Sequence, residues 1–356
     1  MSLEHKTVVL TGGGTVGHVI LNKLLIPELI NKNVEPVYIG SKTGIEKEVI
    51  STTGITYKQI ASGKLRRYFS LENTIDMFRV LKGISDARRI LKKVKPEFVF
   101  SKGGFVTVPV VLAAKSLKIP VYIHESDITP GLANKISGKF AKKIYVTFEK
   151  TMNYVDNSKA LFIGPVIRDE LRRGVTDRGY ELTNFNSKKE TIMVIGGSLG
   201  AKRINEFIRE HLETLTTRYQ IIHITGQGNM EESLESNRYK QFEFVKSELA
   251  HLLAITDVVI SRSGSNAIYE FLALRKPMIL IPLPLSQSRG DQIENATYFE
   301  DKGFAIKLDE EHLTIDTLMS SLGEIEGDRT SFVNRMDGFN AGISPAELVE
   351  KLLSED

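Results

Sequence analysis

The chain has no cysteine among its 356 residues. That absence excludes disulfides and thiolate-held metals, and nothing points to an oxidising compartment. No apolar run approaches the roughly 20 residues that a membrane span needs. The start shows no signal-peptide pattern, because charged Glu4-His5-Lys6 leads into a short strand and then glycines. The expectation is a cytoplasmic protein. Asp-x-Asp does not occur, so a metal held by paired carboxylates at a diphosphate is not indicated. Nor is there a nucleic-acid reader motif or a base-stacking platform, which argues against a nucleic-acid partner.

What is present is the composition of a soluble globular protein, 41% apolar and 26% charged, long enough for two domains with separate cores. The net charge of +3 conceals an asymmetry: up to Pro165 there are 25 Lys and Arg against 13 Asp and Glu, and beyond it 22 against 31. A basic half joined to an acidic one suggests that the first faces a polyanion or an anionic membrane. Solvated helix faces such as Arg88-Arg89 and Lys92-Lys93 give the same count without any partner.

Short apolar runs alternate with helical patterns almost throughout. The first half has Thr7–Thr11, Pro36–Ile39, Phe98–Ser101, Val121–His124 and Lys143–Val146. The second has Thr191–Ile195, Gln220–Thr225, Phe242–Val245, Val258–Ser261 and Met278–Ile281. Near-continuous apolar strands between helices indicate parallel sheets covered on both faces. The expected fold class is α/β, two doubly wound, Rossmann-like domains facing across a cleft. The boundary falls near Gly164-Pro165, giving domains 1–165 and 166–356, with the last helix free to pack back on the first.

Glycine turns follow strands in both halves. Gly12-Gly13-Gly14-Thr15-Val16-Gly17-His18 follows the first strand, and Arg262-Ser263-Gly264-Ser265-Asn266-Ala267 follows Val258–Ser261. Such a turn aims backbone N–H groups and the positive end of a helix at one spot, which favours an anion. Gly12, Gly14 and Gly17 fit the dinucleotide fingerprint G-x-G-x-x-G. The fingerprint needs an acidic residue ending the second strand, and Tyr38-Ile39-Gly40-Ser41 supplies none. No Gly-Lys-Ser/Thr follows, so this is not a nucleoside-triphosphate loop. His18, at the start of a helix, suits a general base near neutral pH, because a helix N-terminus disfavours the imidazolium; a merely capping or packing ring is the plain alternative.

Ser101-Lys102-Gly103-Gly104-Phe105 and His124-Glu125-Ser126-Asp127, followed by Pro130-Gly131-Leu132-Ala133-Asn134, are further polar strand ends in the basic half. Parallel sheets bind ligands at the carboxyl ends of their strands, so these loops should line one wall of a site. Gly196-Gly197-Ser198-Leu199-Gly200 and Arg262-Ser263-Gly264 should line the opposing wall, with Arg289-Gly290-Asp291-Gln292 at the same edge. Glu270, six residues after Gly264, could hold both hydroxyls of a ribose whose phosphates rest on the helix N-terminus, or simply face solvent. Without a metal, leaving-group charge would fall to backbone N–H groups and Arg. Lys64, Leu65, Arg66, Arg67, Tyr68 and Phe69 mix cations with apolar rings just before an amphipathic helix. That composition could rest on an anionic bilayer, or form the basic rim of an ordinary packed helix.

Together these residues resemble the MurG family. The resemblance is carried by Gly13-Gly14-Thr15-x-Gly17-His18, Ser101-x-Gly103-Gly104-Phe105, His124-Glu125, Gly131-Leu132-Ala133-Asn134, Gly196-Gly197-Ser198-x-Gly200-Ala201, Arg262-Ser263-Gly264 with Glu270, and Asp291-Gln292 with Asn295-Ala296. Order and spacing match from about Lys6 to about Lys307. The resemblance implies a GT-B fold and an inverting transfer, with no metal and no cofactor, from UDP-N-acetylglucosamine to lipid I (undecaprenyl-diphospho-N-acetylmuramoyl-pentapeptide). It places the protein peripherally on the cytoplasmic face of the cell membrane, with cell-wall synthesis proteins as possible partners.

By the same resemblance, Gly13, Gly14, Gly103, Gly104 and Phe105 hold the acceptor diphosphate, and His18 deprotonates the acceptor hydroxyl. Glu270 takes the ribose, Ser198 with Ser265, Asn266 and Ala267 the diphosphate, and the backbone near Val245 the uracil. Arg168 matches an arginine near the donor phosphates, and Gln292 a glutamine on the donor sugar. Thr15, Gly17, Asp127, Asn134 and Asp291 complete the donor set. Three positions depart from the pattern: Val16 replaces a glycine, Asp127 an asparagine, and Asp291 a His or Gln. They read as traits of a subgroup. The alternatives are another GT-B enzyme, either a glycolipid synthase or an epimerase of the same sugar nucleotide, and a silent nucleotide-sugar binder.

Overall fold

The computed structural model describes residues 6–63, 71–197, 201–288, 290–337, 339 and 342–355, without the side chains of 71–77. Lys64 to Phe69, the expected membrane segment, lie outside the described residues, as do Ser198 and Arg289. The chain divides into two compact units, Met1–Val166 with Gly342–Asp356, and Ile167–Ala341.

The first unit is built on β1 (Lys6–Thr11), β2 (Val34–Ser41), β3 (Thr56–Ile60), β4 (Val99–Ser101), β5 (Val121–Glu125), β6 (Lys143–Val146) and β7 (Ala160–Phe162). They form one sheet in the order β3-β2-β1-β4-β5-β6-β7, and every pairing is parallel. Alternation along β1 explains the layers. Val8 and Leu10 enter an apolar cluster with Val19, Leu25 and Leu29 of the helix Gly17–Asn31. Val9 enters the opposite cluster with Ala87, Leu91, Val110 and Ala114. Both faces of the sheet are covered, as a parallel sheet requires.

The terminal helix Pro345–Leu353 joins the first of these layers. Ser344 and Glu347 form a reciprocal capping box, with Pro345 at the first turn. Leu348, Val349 and Leu352 are buried in the same cluster as Leu25 and Leu29. At about 1.5–3 kcal/mol for each buried aliphatic side chain, this burial outweighs the exposed Lys32–Glu350 ion pair, a type worth about 0–1 kcal/mol.

The second unit contains β8 (Thr191–Ile195), β9 (Gln220–Ile224), β10 (Tyr239–Phe242), β11 (Val258–Ser261), β12 (Met278–Leu280) and β13 (Ala305–Lys307), in the parallel order β10-β9-β8-β11-β12-β13. Ile192, Val194, Val258 and Ile260 pack on Ile204, Phe207, Leu318 and Leu322 from the covering helices. One expected strand is corrected: Phe242–Val245 is displaced to Tyr239–Phe242. Lys240 and Gln241 had masked it, but Gln241 is buried and satisfied by Glu231 O at 2.7 Å, while Phe244 is 61% exposed. Among the described residues no helix is long and apolar enough to cross a membrane.

In both sheets the strand order reverses at a specific pair: β1 with β4, and β8 with β11. Open parallel sheets bind ligands beyond the carboxyl ends of the strands at such a switch point. All four of these strands end in a glycine turn.

Candidate active site

In the first unit the turns after β1 and β4 touch. Gly13 N donates to Gly103 O at 3.1 Å. A Cβ on Gly104 would lie 2.0 Å from Gly13 O, and the residue sits at φ +90°, so only glycine fits there. The helix after the first turn starts at Gly17, which places His18 in its first turn. His18 Nδ1 lies 3.1 Å from Gly13 O and 3.1 Å from Thr15 Oγ1. A carbonyl oxygen only accepts, so the neutral ring carries its proton on Nδ1 and leaves Nε2 as its basic nitrogen.

Glu125, at the end of β5, organises the next loop. Its carboxylate accepts from Asp127 N at 3.0 Å, Gly131 N at 3.2 Å and Asn134 Nδ2 at 2.9 Å. Asn134 also abuts Gly103, whose Cβ would lie 3.0 Å from Asn134 Oδ1. Gly13, Gly103, Gly104, Asp127 and Asn134 therefore belong to one connected set of loops, and Phe105 is half exposed beside them.

Two titratable groups beneath these loops were given no role of their own from sequence. Lys102 is 1% exposed, and its ammonium has no hydrogen-bond partner among the described residues. Burial lowers its pKa, while Glu125 and Asp127 oppose the shift. His124 is buried beside it with both ring nitrogens unpartnered among the described residues, and burial, then Lys102, pushes its pKa well below the usual value. The sequence signal was a lysine between a strand end and Gly-Gly. Also unforeseen is Glu46, just past β2, whose Oε2 accepts the Gly14 N–H at 3.3 Å. One N–H expected for an anionic ligand already meets a carboxylate from the chain itself.

The second unit holds a pocket of about 530 Å³ lined by Gly196, Gly197, Gly264, Ala267 and Gln292, among others. Gly264 caps the helix Ser265–Ala273, whose first turn carries Ser265, Asn266 and Ala267. Glu270 follows Ala267 by three residues, on the same face of that helix. It binds Arg168 through two hydrogen bonds, Nε to Oε1 at 2.8 Å and Nη2 to Oε2 at 2.9 Å. Gln292 Oε1 accepts from Leu283 N at 3.0 Å, which orients its amide. Asp291 opens the helix that carries Gln292, after Gly290 at φ +88°. Val245 is half-buried beyond the end of β10. Arg262 is committed elsewhere: it donates to Ile281 O at 3.1 Å and Pro282 O at 3.3 Å, and pairs with Glu310. The arginine expected to meet leaving-group charge is therefore not this one.

Two doubly wound parallel sheets in one chain, each with glycine turns at its switch point, define the GT-B class of glycosyltransferase fold. The crystal structure of Acinetobacter baumannii MurG aligns at TM-score 0.79 over 99% of this chain and 100% of that one, with 24% identity. A UDP-GlcNAc 2-epimerase from Neisseria meningitidis, bound to UDP-GlcNAc, shares the fold at TM-score 0.68 and 15% identity, over 99% and 100% of the two chains. Residues 8–146 match the glycosyltransferase family 28 N-terminal domain and residues 191–350 its C-terminal domain. The chain belongs to glycosyltransferase family 28. It is 56% identical over 350 residues, 98% of each chain, to the UDP-N-acetylglucosamine–N-acetylmuramyl-(pentapeptide) pyrophosphoryl-undecaprenol N-acetylglucosamine transferase of Staphylococcus aureus strain RF122. The enzyme of that name from strain Newman is equally similar, at 56% over 98% of both chains.

Proposed function

We propose that the protein transfers N-acetylglucosamine from UDP-N-acetylglucosamine to lipid I, giving lipid II for peptidoglycan synthesis. The observation that carries this reading is the 56% identity along 98% of both chains to transferases of that activity. Nε2 of His18 takes the proton of the acceptor hydroxyl. The freed oxygen attacks the anomeric carbon from the face opposite the nucleotide, the bond from that carbon to the diphosphate oxygen breaks, and UDP leaves. The product linkage is β.

The second unit holds the donor. Glu270 binds the ribose, the helix N-terminus at Ser265, Asn266 and Ala267 takes the diphosphate with Ser198 and Arg168, Gln292 and Asp291 meet the sugar, and the backbone near Val245 meets the uracil. Leaving charge is then met by backbone N–H groups and Arg168 without a metal. In the first unit the Gly103-Gly104 turn, with Gly13, Gly14 and Phe105, receives the acceptor diphosphate. Thr15, Gly17, Asp127 and Asn134 complete the contacts to the donor.

The acceptor carries a polyprenyl tail, so the enzyme works at the cytoplasmic surface of the membrane, where other cell-wall synthesis proteins are expected neighbours. Support comes from the helix Leu71–Val94, where Phe78 and Leu81 are 68% and 58% exposed and are followed directly by Arg79 and Lys82. Apolar side chains flanked by cations suit an anionic bilayer.

The test is UDP release from UDP-N-acetylglucosamine with and without a soluble lipid I analogue and with no added metal. Release that depends on the acceptor is expected. Consumption of the sugar nucleotide without any acceptor is the result an epimerase would give, and tight binding without release would mark a silent binder.

A further inference from the structure

Glu46 is 1% exposed, and no Lys or Arg pairs with it among the described residues. Its oxygens are held by the backbone and by a hydroxyl instead. Oε1 accepts from Ser41 N at 3.0 Å and Ser41 Oγ at 2.5 Å, and Oε2 from Gly14 N at 3.3 Å. Ser41 Oγ in turn accepts from Gly44 N at 2.9 Å. Three glycines make room for the carboxylate. A Cβ on Gly13 would lie 2.7 Å from its carboxyl carbon, one on Gly44 2.2 Å from Oε2, and one on Gly40 3.0 Å from Cγ.

Burying a charge without a counter-ion is unfavourable, so the contacts that it does make must be good ones. What they fix is the turn bearing Gly13 and Gly14. Gly13 O is the atom 3.1 Å from His18 Nδ1. The charge is also felt across this corner of the sheet: after burial, Glu46 adds to the forces keeping the Tyr38 and Tyr57 hydroxyls protonated. Tyr38 Oη donates to Gly12 O at 2.9 Å, in the same turn.

We propose that Glu46 is a positioning residue for glycosyl transfer. It holds the Gly13-Gly14 turn so that Gly13 O keeps the His18 proton on Nδ1, leaving Nε2 to receive the acceptor proton. Its fixed negative charge behind the turn favours the imidazolium that His18 becomes. The proposal rests on the reading of His18 as the base.

The experiment compares Glu46→Gln, Ser41→Ala and the unaltered full-length enzyme in steady-state transfer to a soluble lipid I analogue, with kcat followed from pH 5 to 9. In Glu46→Gln an amide nitrogen replaces one carboxylate oxygen and the charge is gone. The expected result is a kcat at least tenfold lower, an acid limb moved to lower pH, and UDP affinity by calorimetry within twofold of the parent. Ser41→Ala keeps the charge and the Gly14 contact, so its acid limb stays in place. If Glu46→Gln does not fold, Glu46→Asp replaces it: the charge remains but reaches one methylene short of Gly14, and kcat falls with the limb in place. Unchanged kcat in a folded Glu46→Gln or Glu46→Asp overturns the proposal, as does a Glu46→Gln acid limb that does not move. Failure of the underlying reading shows separately, as turnover retained by His18→Ala or absence of acceptor-dependent UDP release in the parent.

Discussion

Arg168 and Glu270 are each other's partner. The guanidinium meets the carboxylate edge-on through two hydrogen bonds of 2.8 and 2.9 Å, and both side chains are largely buried. These are the groups proposed for the donor phosphates and for the ribose, so each holds the other in place of the ligand group assigned to it. Planar, bidentate pairing of this kind is specific and strong for its size.

The pair separates two contributions that are usually merged. Arg168→Ala removes the proposed phosphate contact and releases Glu270. UDP affinity should fall about 10- to 100-fold, the range of a charge-assisted hydrogen bond of about 1.5–3 kcal/mol. Uridine, which has no phosphate, should bind the variant as well as the parent or better. Glu270→Ala should weaken both ligands. Calorimetry with uridine and UDP on the three proteins decides; equal losses for both ligands in Arg168→Ala would remove the arginine from the phosphate site.

His18→Ala tests the base directly. General-base catalysis contributes about 10²- to 10⁴-fold, and kcat should fall within that range. UDP affinity should not change, because the described residues that line the pocket with Gly264, Ala267 and Gln292 all belong to the second unit. A variant with near-full turnover and intact nucleotide binding would leave Nε2 without a role in the reaction.

The turn at Gly104 should be the least forgiving position of the acceptor loops. Any side chain there meets both a left-handed backbone and Gly13 O at 2.0 Å. Strain of that kind costs about 1–3 kcal/mol before the clash is counted, so Gly104→Ala should lower the melting temperature by several degrees. Gly264→Ala is the contrast: the position has an extended N-cap conformation and, among the described residues, nothing within 4 Å of a new Cβ. Its melting temperature should stay within about a degree of the parent's, as expected for a change of under ~0.5 kcal/mol.

The central strands were legible because they are continuous apolar runs, and so were their terminal glycine turns. The strands missed or displaced lie at the margins. β3, β7 and β13 went unread, and β10 was shifted; all four are edges of their sheets. Edge strands bury one face or less, so β3 alternates Thr, Tyr, Lys, Gln and Ile, with three of the five exposed. In the sites, His18 and Glu270 could be named as candidates from residue type and pattern alone. Pairings across sequence could not: Arg168 lies 102 residues from Glu270, and Gly14 lies 32 residues from Glu46. Lys102 and His124 were read only as parts of polar strand ends, because nothing in their neighbours reveals that the turn buries them. The missing acidic residue at the end of β2 is the plainest case. Ser41 ends that strand, and the carboxylate arrives from Glu46, five residues on, hydrogen-bonded back to Ser41.

Stability should fall on acidification, and His223 should carry part of the slope. It lies between Tyr239 Oη, 2.7 Å from Nδ1, and Asn205 Oδ1, 3.0 Å from Nε2. Asn205 Nδ2 donates to Thr225 O, so its Oδ1 faces the ring as acceptor; Nε2 carries the proton and Nδ1 accepts from the tyrosine. Burial, and then Arg209, lower the pKa from 6.5 to about 3. Between those values the unfolded chain binds a proton that the folded chain does not, so stability rises with pH across the window. It is complete above pH 6.5 and is lost as pH falls toward 3, at about 1.4 kcal/mol per pH unit. His124, also depressed by burial, adds a loss of the same sign. Replacing His223 with Gln removes one titrating group. Between pH 6 and 4 the denaturant midpoint of His223→Gln should therefore drop less steeply than that of the parent, although the variant starts lower at pH 7 for want of one hydrogen bond. Parallel slopes for the two proteins would mean that the folded chain takes up the His223 proton as readily as the unfolded one, with Nδ1 then donating to Tyr239 Oη instead of accepting from it.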